Sequence, residues 1–395
     1  MTATDIPLIT ESAELLAFCT TAAHSRFITI DTEFIRERTY YPKLCLIQIA
    51  CDQAAAMIDP LVENLDMTPL HDLLNDDTTL KVFHAARQDL EIFYHMLGCI
   101  PHPIFDTQVA AMVCGFGESI SYDGLVQQIT GQKLDKSSRF TNWEHRPLTQ
   151  KQRDYAIADV THLRHIFLSL EAQLESNNRI GWIEEEMAVL LDPVTYDPHP
   201  EDAWKRLKTR TRAPKFLAAL QAAAAWRERM AQTLDQPRGR ILKDDTLADI
   251  AASHPKDLDG LYKLRGMNKG LDKSKLQELL DAVHAARELP RHECPQMPEL
   301  LQLPPEAGAA IELLRVLLKR QCDRENVAQK LVANRSDLEH IAAGLLDDTA
   351  LNHGWRKEVF GRHAEALMQG KLAMALDPQE GAVVLLTQDD MAPQQ

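Results

Sequence analysis

Every stretch of this chain that reads as a β-strand lies before residue 107, and the chain beyond that point reads as helix or proline-rich connection. Phe27-Ile-Thr-Ile-Asp31, Leu44-Cys-Leu-Ile-Gln-Ile-Ala50 and Ala54–Ile58 are short β-branched or apolar runs joined by brief connections, the pattern of an antiparallel meander. Thr79–His84 and Ile104–Asp106 are two further strands. Helical spacing lies between and beyond them, over 67–74, 87–97, 107–114, 122–130 and 149–174. Strands first and β-α alternation next predict one mixed sheet with helices on both faces. With no strands left for a second sheet, the rest of the 395 residues must build helical domains.

Two proline-rich stretches divide the chain. Asp192–Pro200 holds three prolines and residues 290–305 hold five. The expected organisation is an α/β domain over 1–190, a linker over 191–206, a helical domain over 207–289, a linker over 290–305, a second helical domain over 306–376 and a tail over 377–395 without regular structure. The two helical domains share a pattern, around Asp244–Leu258 and Glu325–Leu338: a short helix, a polar turn, then a leucine opening another helix. They read as diverged copies of one module.

The net charge of −15 argues, for the chain as a whole, against a nucleic-acid partner. The charge is uneven, however: residues 1–200 carry 14 Lys and Arg against 29 Asp and Glu, whereas 201–395 carry 29 of each. Basic residues concentrate at 131–153, six against two acids, and at 201–243, eleven against four. Seven scattered cysteines with no CxxC spacing fit reduced thiols in the cytoplasm and neither a disulfide framework nor a zinc site. No charged leader and no membrane-length apolar run is expected.

Acidic residues carry the strongest chemical signal. Asp31-Thr-Glu33 closes the first strand, and side chains two apart on a strand share a face. Two such carboxylates repel unless a cation lies between them, and Mg²⁺ or Mn²⁺ takes oxygen ligands of this kind. Asp89, in His84-Ala-Ala-Arg-Gln-Asp89, falls in the first turn of a helix. Tyr155 and Asp159 lie four apart on one helix face. Taken singly, each has an ordinary explanation: a strand-end acid, a residue favoured by the helix dipole, a Tyr–Asp hydrogen bond.

Together, four acids and a tyrosine can hold two divalent ions about 4 Å apart, one activating a water and one stabilising a phosphodiester's leaving oxygen. Tyr155 would orient the water. No Walker loop, G-x-S-x-G elbow, H-E-x-x-H or dinucleotide-binding glycine motif competes with this set.

The constellation resembles the DEDD family of 3′→5′ exonucleases in its tyrosine-bearing branch. The D-x-E motif matches Asp31 and Glu33, the second-motif acid Asp89, and the Y-x-x-x-D motif Tyr155 and Asp159. Ile30–Gln48, Leu134–Trp143 and Arg146–Tyr155 are similar to blocks of the bacterial ribonuclease D family within that branch. Ile241–Pro255 and Leu264-Arg-Gly-Met267 resemble the helicase-and-RNase-D C-terminal (HRDC) domain, with 306–376 like a more diverged copy. One departure is Ala85, where many members of the family have an asparagine expected to bond substrate.

The resemblance implies an RNase H-like exonuclease domain with a mixed five-stranded sheet, followed by two HRDC-type domains. It implies a monomeric exoribonuclease that uses two Mg²⁺ or Mn²⁺ ions. Its expected products are 5′-mononucleotides, released from the 3′ ends of transfer RNA precursors and other small structured RNAs. Asp31, Glu33, Asp89 and Asp159 would be the metal ligands. A DNA-directed exonuclease with the same site, and a non-catalytic RNA-binding scaffold, are the competing readings.

Expected substrate contacts are Phe34 against the terminal base, Gln48 at a sugar hydroxyl, and His84, Lys133 and Trp143 around the site. Lys205, Arg206, Lys208 and Arg210, interleaved with Trp204, Phe216 and Trp226, are expected to track phosphates.

Overall fold

A computed structural model describes residues 6–135, 137–139, 141–209, 211–297 and 301–387. The first part of the chain runs β1 (Leu8–Ile9), α1 (Ser12–Ala22), β2 (Phe27–Ile35), β3 (Lys43–Ala50), β4 (Ala55–Ile58) and α2 (Thr68–Leu74). It continues through β5 (Leu80–Phe83), α3 (Arg87–Leu97), β6 (Ile104–Asp106), α4 (Thr107–Val113), α5 (Tyr122–Thr130), α6 (Gln150–Ser176) and α7 (Gly181–Leu191). The strands form one mixed sheet in the order β1-β4-β3-β2-β5-β6. β2 is antiparallel to β3 and parallel to β5, so the meander expected from the sequence is present. The sheet has six strands rather than five, because the two-residue β1 pairs parallel with β4.

Alternation along β2 sorts its side chains between two cores. Ile28 and Ile30 face α1, α2 and α3, packing with Leu15, Leu70, Leu90 and Phe93. Thr29, Asp31 and Glu33 alternate with them and therefore share the opposite face, which lies under α6. There Leu46, Ala50 and Met57 pack on Ala156, Ile157 and Val160 of α6. Burying Leu46, Met57, Ile157 and Val160 contributes roughly 1.5–3 kcal/mol each. Thr29 Oγ1 also donates to the carbonyl of Val160 at 2.8 Å, pinning the helix over the strand.

The first helical module comprises α8 (Pro214–Thr233), α9 (Arg238–Ile241), α10 (Asp244–Ser253), α11 (Leu258–Tyr262) and α12 (Lys273–Glu288), around a core of its own. Tyr40, from the loop after β2, inserts into that core. Its hydroxyl donates to Glu228 Oε1 at 2.5 Å and accepts from Arg238 Nη2 at 2.9 Å. Asp235 Oδ1 accepts from the backbone N–H groups of Tyr40 and Tyr41 at 2.9 and 3.1 Å. The stretch between the modules is packed, with Tyr196 in the α/β core and Trp204 in the helical one.

The second helical stretch has α13 (Ala307–Glu325), α14 (Gln329–Val332), α15 (Arg335–Ala342), α16 (Gly354–Arg356) and α17 (Arg362–Met368). Its opening order of long helix, single turn and short helix repeats that of α8, α9 and α10. Unlike the first module it shares one hydrophobic core with α4, α5 and α6. The Trp182 and Trp355 rings stack at 4.5 Å, and Arg356 is paired with Glu185 and Glu186.

Two expectations are corrected, the helical reading up to residue 376 and the tail without regular structure from 377: Leu372–Leu376 (β7) and Val383–Thr387 (β8) form an antiparallel hairpin. Leu372, Met374 and Leu385 lean on the neighbouring helical core, which gives this apolar pair something to bury against. Among the described residues no helix is long and apolar enough to cross a membrane.

Candidate active site

The open end of β2, the start of α3 and the middle of α6 converge on a cavity of about 540 Å³. Asp31, Glu33, Asp89, Tyr155 and Asp159 all line it, so the five residues singled out by their spacing occupy one place. Asp31, Glu33 and Asp159 each offer a carboxylate oxygen within 4.8 Å of the others. Asp89 stands in the same cavity but outside that cluster, its Oδ1 accepting from the Thr32 hydroxyl at 2.5 Å.

Local structure explains each position. Asp31 and Glu33 pair with Gln48 and Leu46 on β3, and the register shifts immediately after Glu33. That irregularity ends the regular pleat where the carboxylates must turn into the cavity. Asp89 is at the third helical position of α3. The turn before α3 is held by an acid that sequence reasoning missed. Asp106 accepts from the backbone N–H of Ala85 at 2.9 Å, of Ala86 at 2.9 Å and of Gln108 at 2.8 Å. Ala85 sits at φ 60°, a left-handed conformation in which asparagine is better tolerated than alanine. Tyr122, also unforeseen, donates its hydroxyl to the carbonyl of Asp159 at 2.5 Å and so fixes α6 at the ligand itself.

The electrostatics are those of acids crowded together along the wall of a cavity. Burial, then Asp159, holds the Asp31 carboxyl well above the usual range. Burial, then Asp31, Asp159 and Asp89, pushes Glu33 up to about 10. Asp89 is raised by burial and by Asp31, against the Thr32 hydrogen bond. Asp159 is raised by burial to about 7, with the Tyr155 hydrogen bond and Arg139 pulling the other way. Arg139, from the segment before α6, lines the cavity and lowers both Glu33 and Asp159. A divalent cation among these oxygens would reverse the repulsion, and an all-carboxylate donor set suits a hard ion. The residues present therefore fit such an ion.

The expected substrate contacts divide. Phe34 and His84 line the cavity. Thr107 Oγ1 donates to the carbonyl of Phe83 at 2.9 Å and lies 3.0 Å from His84 Nδ1. With its own proton committed, Thr107 accepts from Nδ1–H, and burial lowers the His84 pKa, so Nε2 is a bare acceptor. Lys133 lines a smaller adjoining cavity with Tyr155 and Asp159.

Gln48 and Trp143 are corrections. Gln48 is fully buried in the middle of the sheet, out of reach of a sugar. Trp143 is buried behind Tyr155, with ring centroids 6.0 Å apart. Trp204 and Trp226 are likewise core residues of the first helical module and present no stacking face. Lys205, Arg206 and Lys208 are exposed on that module, outside the cavity, with Lys205 paired to Asp202. Arg210 lies outside the described residues.

Comparison with known proteins places this arrangement. Residues 6–175 match the 3′-5′ exonuclease family model, and residues 216–283 match the HRDC domain model. The chain is 49% identical over 383 residues to ribonuclease D of Nitrobacter hamburgensis, covering 95% of this chain and 98% of that one. It is 47% identical over 372 residues to ribonuclease D of Bartonella henselae, covering 93% and 91%. Among solved structures it is similar to Escherichia coli RNase D, described as an exoribonuclease involved in structured RNA processing. That match has a TM-score of 0.78 and 31% identity, over 93% of this chain and 99% of the other. A Bifidobacterium adolescentis protein shares the fold at TM-score 0.68 and 18% identity.

Proposed function

This chain belongs to the ribonuclease D family of 3′→5′ exoribonucleases, and from that membership we propose that its carboxylate cluster holds two Mg²⁺ or Mn²⁺ ions and releases 5′-mononucleotides one at a time. The observation that carries this reading is the convergence of Asp31, Glu33 and Asp159 within 4.8 Å, with Asp89 in the same cavity.

Asp31, Glu33 and Asp159 would hold one ion, and Asp89, in the same cavity, would help hold the second. Divalent ions so held supply a water that ionises near neutral pH and charge stabilisation for the leaving 3′ oxygen. Tyr155, bonded to Asp159, keeps its phenol protonated, because burial and the acids around it raise its pKa. A neutral phenol there orients the attacking water. His84 Nε2 offers an acceptor to a sugar hydroxyl, and Phe34 an apolar wall to the terminal base. The Asp106 clamp keeps the turn before Asp89 in its left-handed shape.

The favoured substrates are 3′ ends of transfer RNA precursors and other small structured RNAs, met by a monomer in the cytoplasm. All seven cysteines are free thiols, which suits a reducing compartment. The exposed cations Lys205, Arg206 and Lys208 add phosphate contacts through charge alone, since the tryptophans beside them are buried. Digesting 3′-tailed structured RNA and the matching DNA, with and without Mg²⁺, tests the reading. Metal-dependent mononucleotide release from RNA is expected. Preferential digestion of DNA would favour a deoxyribonuclease, and metal-bound protein without hydrolysis a scaffold.

A further inference from the structure

Gln48 is a fully buried amide in a central strand, and neither Nε2 nor Oε1 has a protein partner. Leaving two such atoms unpaired in a buried place is unfavourable. Its place in the sheet is specific. Gln48 stands directly opposite Asp31 in the β2–β3 register, with Leu46 opposite Glu33 and Met57 opposite Gln48 on β4. Directly opposed residues of an antiparallel pair share a face and hold their Cβ atoms about 4.5–5.5 Å apart. The hydrophobic side chains packed on that face include Leu46, Ala50, Met57, Ala156, Ile157 and Val160, and the other polar groups along β2 are Thr29, whose hydroxyl is committed to the Val160 carbonyl, and Glu33, one pair farther along the register. The nearest group along the register that an amide can serve is therefore the Asp31 carboxylate.

We infer that Gln48 is a positioning residue for Asp31: its amide N–H bonds, through one bound water, the carboxylate oxygen turned away from the cavity, and so aims the other oxygen at the metal. The inference rests on the proposed metal site and deepens it. Asp31 belongs to the three-carboxylate cluster, so its orientation sets where an ion could be held. Groups that hold a metal ligand from behind commonly change metal affinity 10- to 100-fold when removed. The inference also explains a polar side chain where an apolar one would pack, and it replaces the sugar contact expected from sequence.

The test is Mn²⁺ binding by calorimetry on the full chain, beside melting of the metal-free protein, for wild type, Gln48→Leu and Gln48→Met. Leucine and methionine remove both unpaired atoms at similar volume, so metal-free melting is expected to hold or rise. Mn²⁺ affinity is expected to fall at least about tenfold in both variants. Wild-type affinity in both variants overturns the inference. So does a metal-free melting loss in both that alone accounts for the weaker binding, because Gln48 would then be only structural. Wild-type protein that takes up no Mn²⁺ overturns the metal site itself, a failure distinguishable from that of Gln48.

Discussion

Thr32 hands its hydroxyl proton to Asp89 at 2.5 Å, joining the residue between Asp31 and Glu33 to the acid at the start of α3. This bond holds Asp89 beside the three-carboxylate cluster while keeping it out of the crowd. Thr32→Val is expected to leave the fold intact and lower the maximal hydrolysis rate by about tenfold, with Thr32→Ser restoring most of it. Metal titrations of RNA hydrolysis by the three proteins check this.

The pKa shifts fix a pH dependence. A carboxyl whose folded pKa exceeds its unfolded value stabilises the fold below the unfolded value and loses that contribution as pH rises through the folded one. Asp159, raised from 3.8 to about 7, acts in that window, and Glu33, raised from 4.5 to about 10, continues it upward. Metal-free protein is therefore expected to lose stability from these groups as pH climbs from about 4 to 7 and beyond. Metal binding must displace their protons, so Mg²⁺ should bind more tightly at pH 8 than at pH 6. The gap in melting temperature with and without Mg²⁺ should widen over the same range, which differential scanning in Mg²⁺ or EDTA would show.

Gly115 marks where the second helical stretch meets the exonuclease domain. Its φ is 83°, and a Cβ there would lie 2.1 Å from the Asn326 side chain. Gly115→Ala adds backbone strain and a clash, and is expected to destabilise the chain by about 1–3 kcal/mol. The same substitution at Gly98, also at positive φ but with open space around it, isolates the backbone part. Urea unfolding of both variants separates clash from strain.

Tyr40 joins the loop that leaves Glu33 to the first helical module. Tyr40→Phe removes the three hydrogen bonds of its hydroxyl, to Glu228 and from Arg238 and Gln232. A loss of about 1–2 kcal/mol is expected in chemical denaturation. The turnover rate should fall with it, because the loop continues the catalytic strand.

Much of this molecule could be read from spacing. Phe27–Asp31 alternates as a strand, the apolar residues at 90, 93, 94 and 97 trace α3, and D-x-E, the helix-start Asp89 and Y-x-x-x-D put five side chains in one cavity. What escaped was decided by tertiary contact. β1 is two residues long and exists because β4 pairs with it. The β7–β8 hairpin forms where its apolar side chains meet a neighbouring core, although Val383-Val-Leu-Leu after Gly381 was a strand signal in itself. Tyr122 and Arg139 line the cavity and Asp106 braces the turn beside it; Tyr122 opens a helix and Asp106 closes a strand that spacing revealed, but the partners their side chains find were set by tertiary contact. Gln48 and Trp143 were misread because burial of a polar or aromatic side chain in a central layer is not visible in a short run.

The −15 net charge, which argued against a nucleic-acid partner, belongs partly to the site: five of the first-half acids, Asp31, Glu33, Asp89, Asp123 and Asp159, line one cavity. The most direct measurement is Mg²⁺-dependent release of 5′-mononucleotides from a 3′-tailed RNA by wild type and by Asp31→Asn, with folding of both followed by circular dichroism. Wild type should degrade the tail from its 3′ end, and Asp31→Asn should fold normally while hydrolysis falls by at least about a thousandfold, about 4 kcal/mol of barrier. Hydrolysis by Asp31→Asn near the wild-type rate would contradict the carboxylate-held metal mechanism.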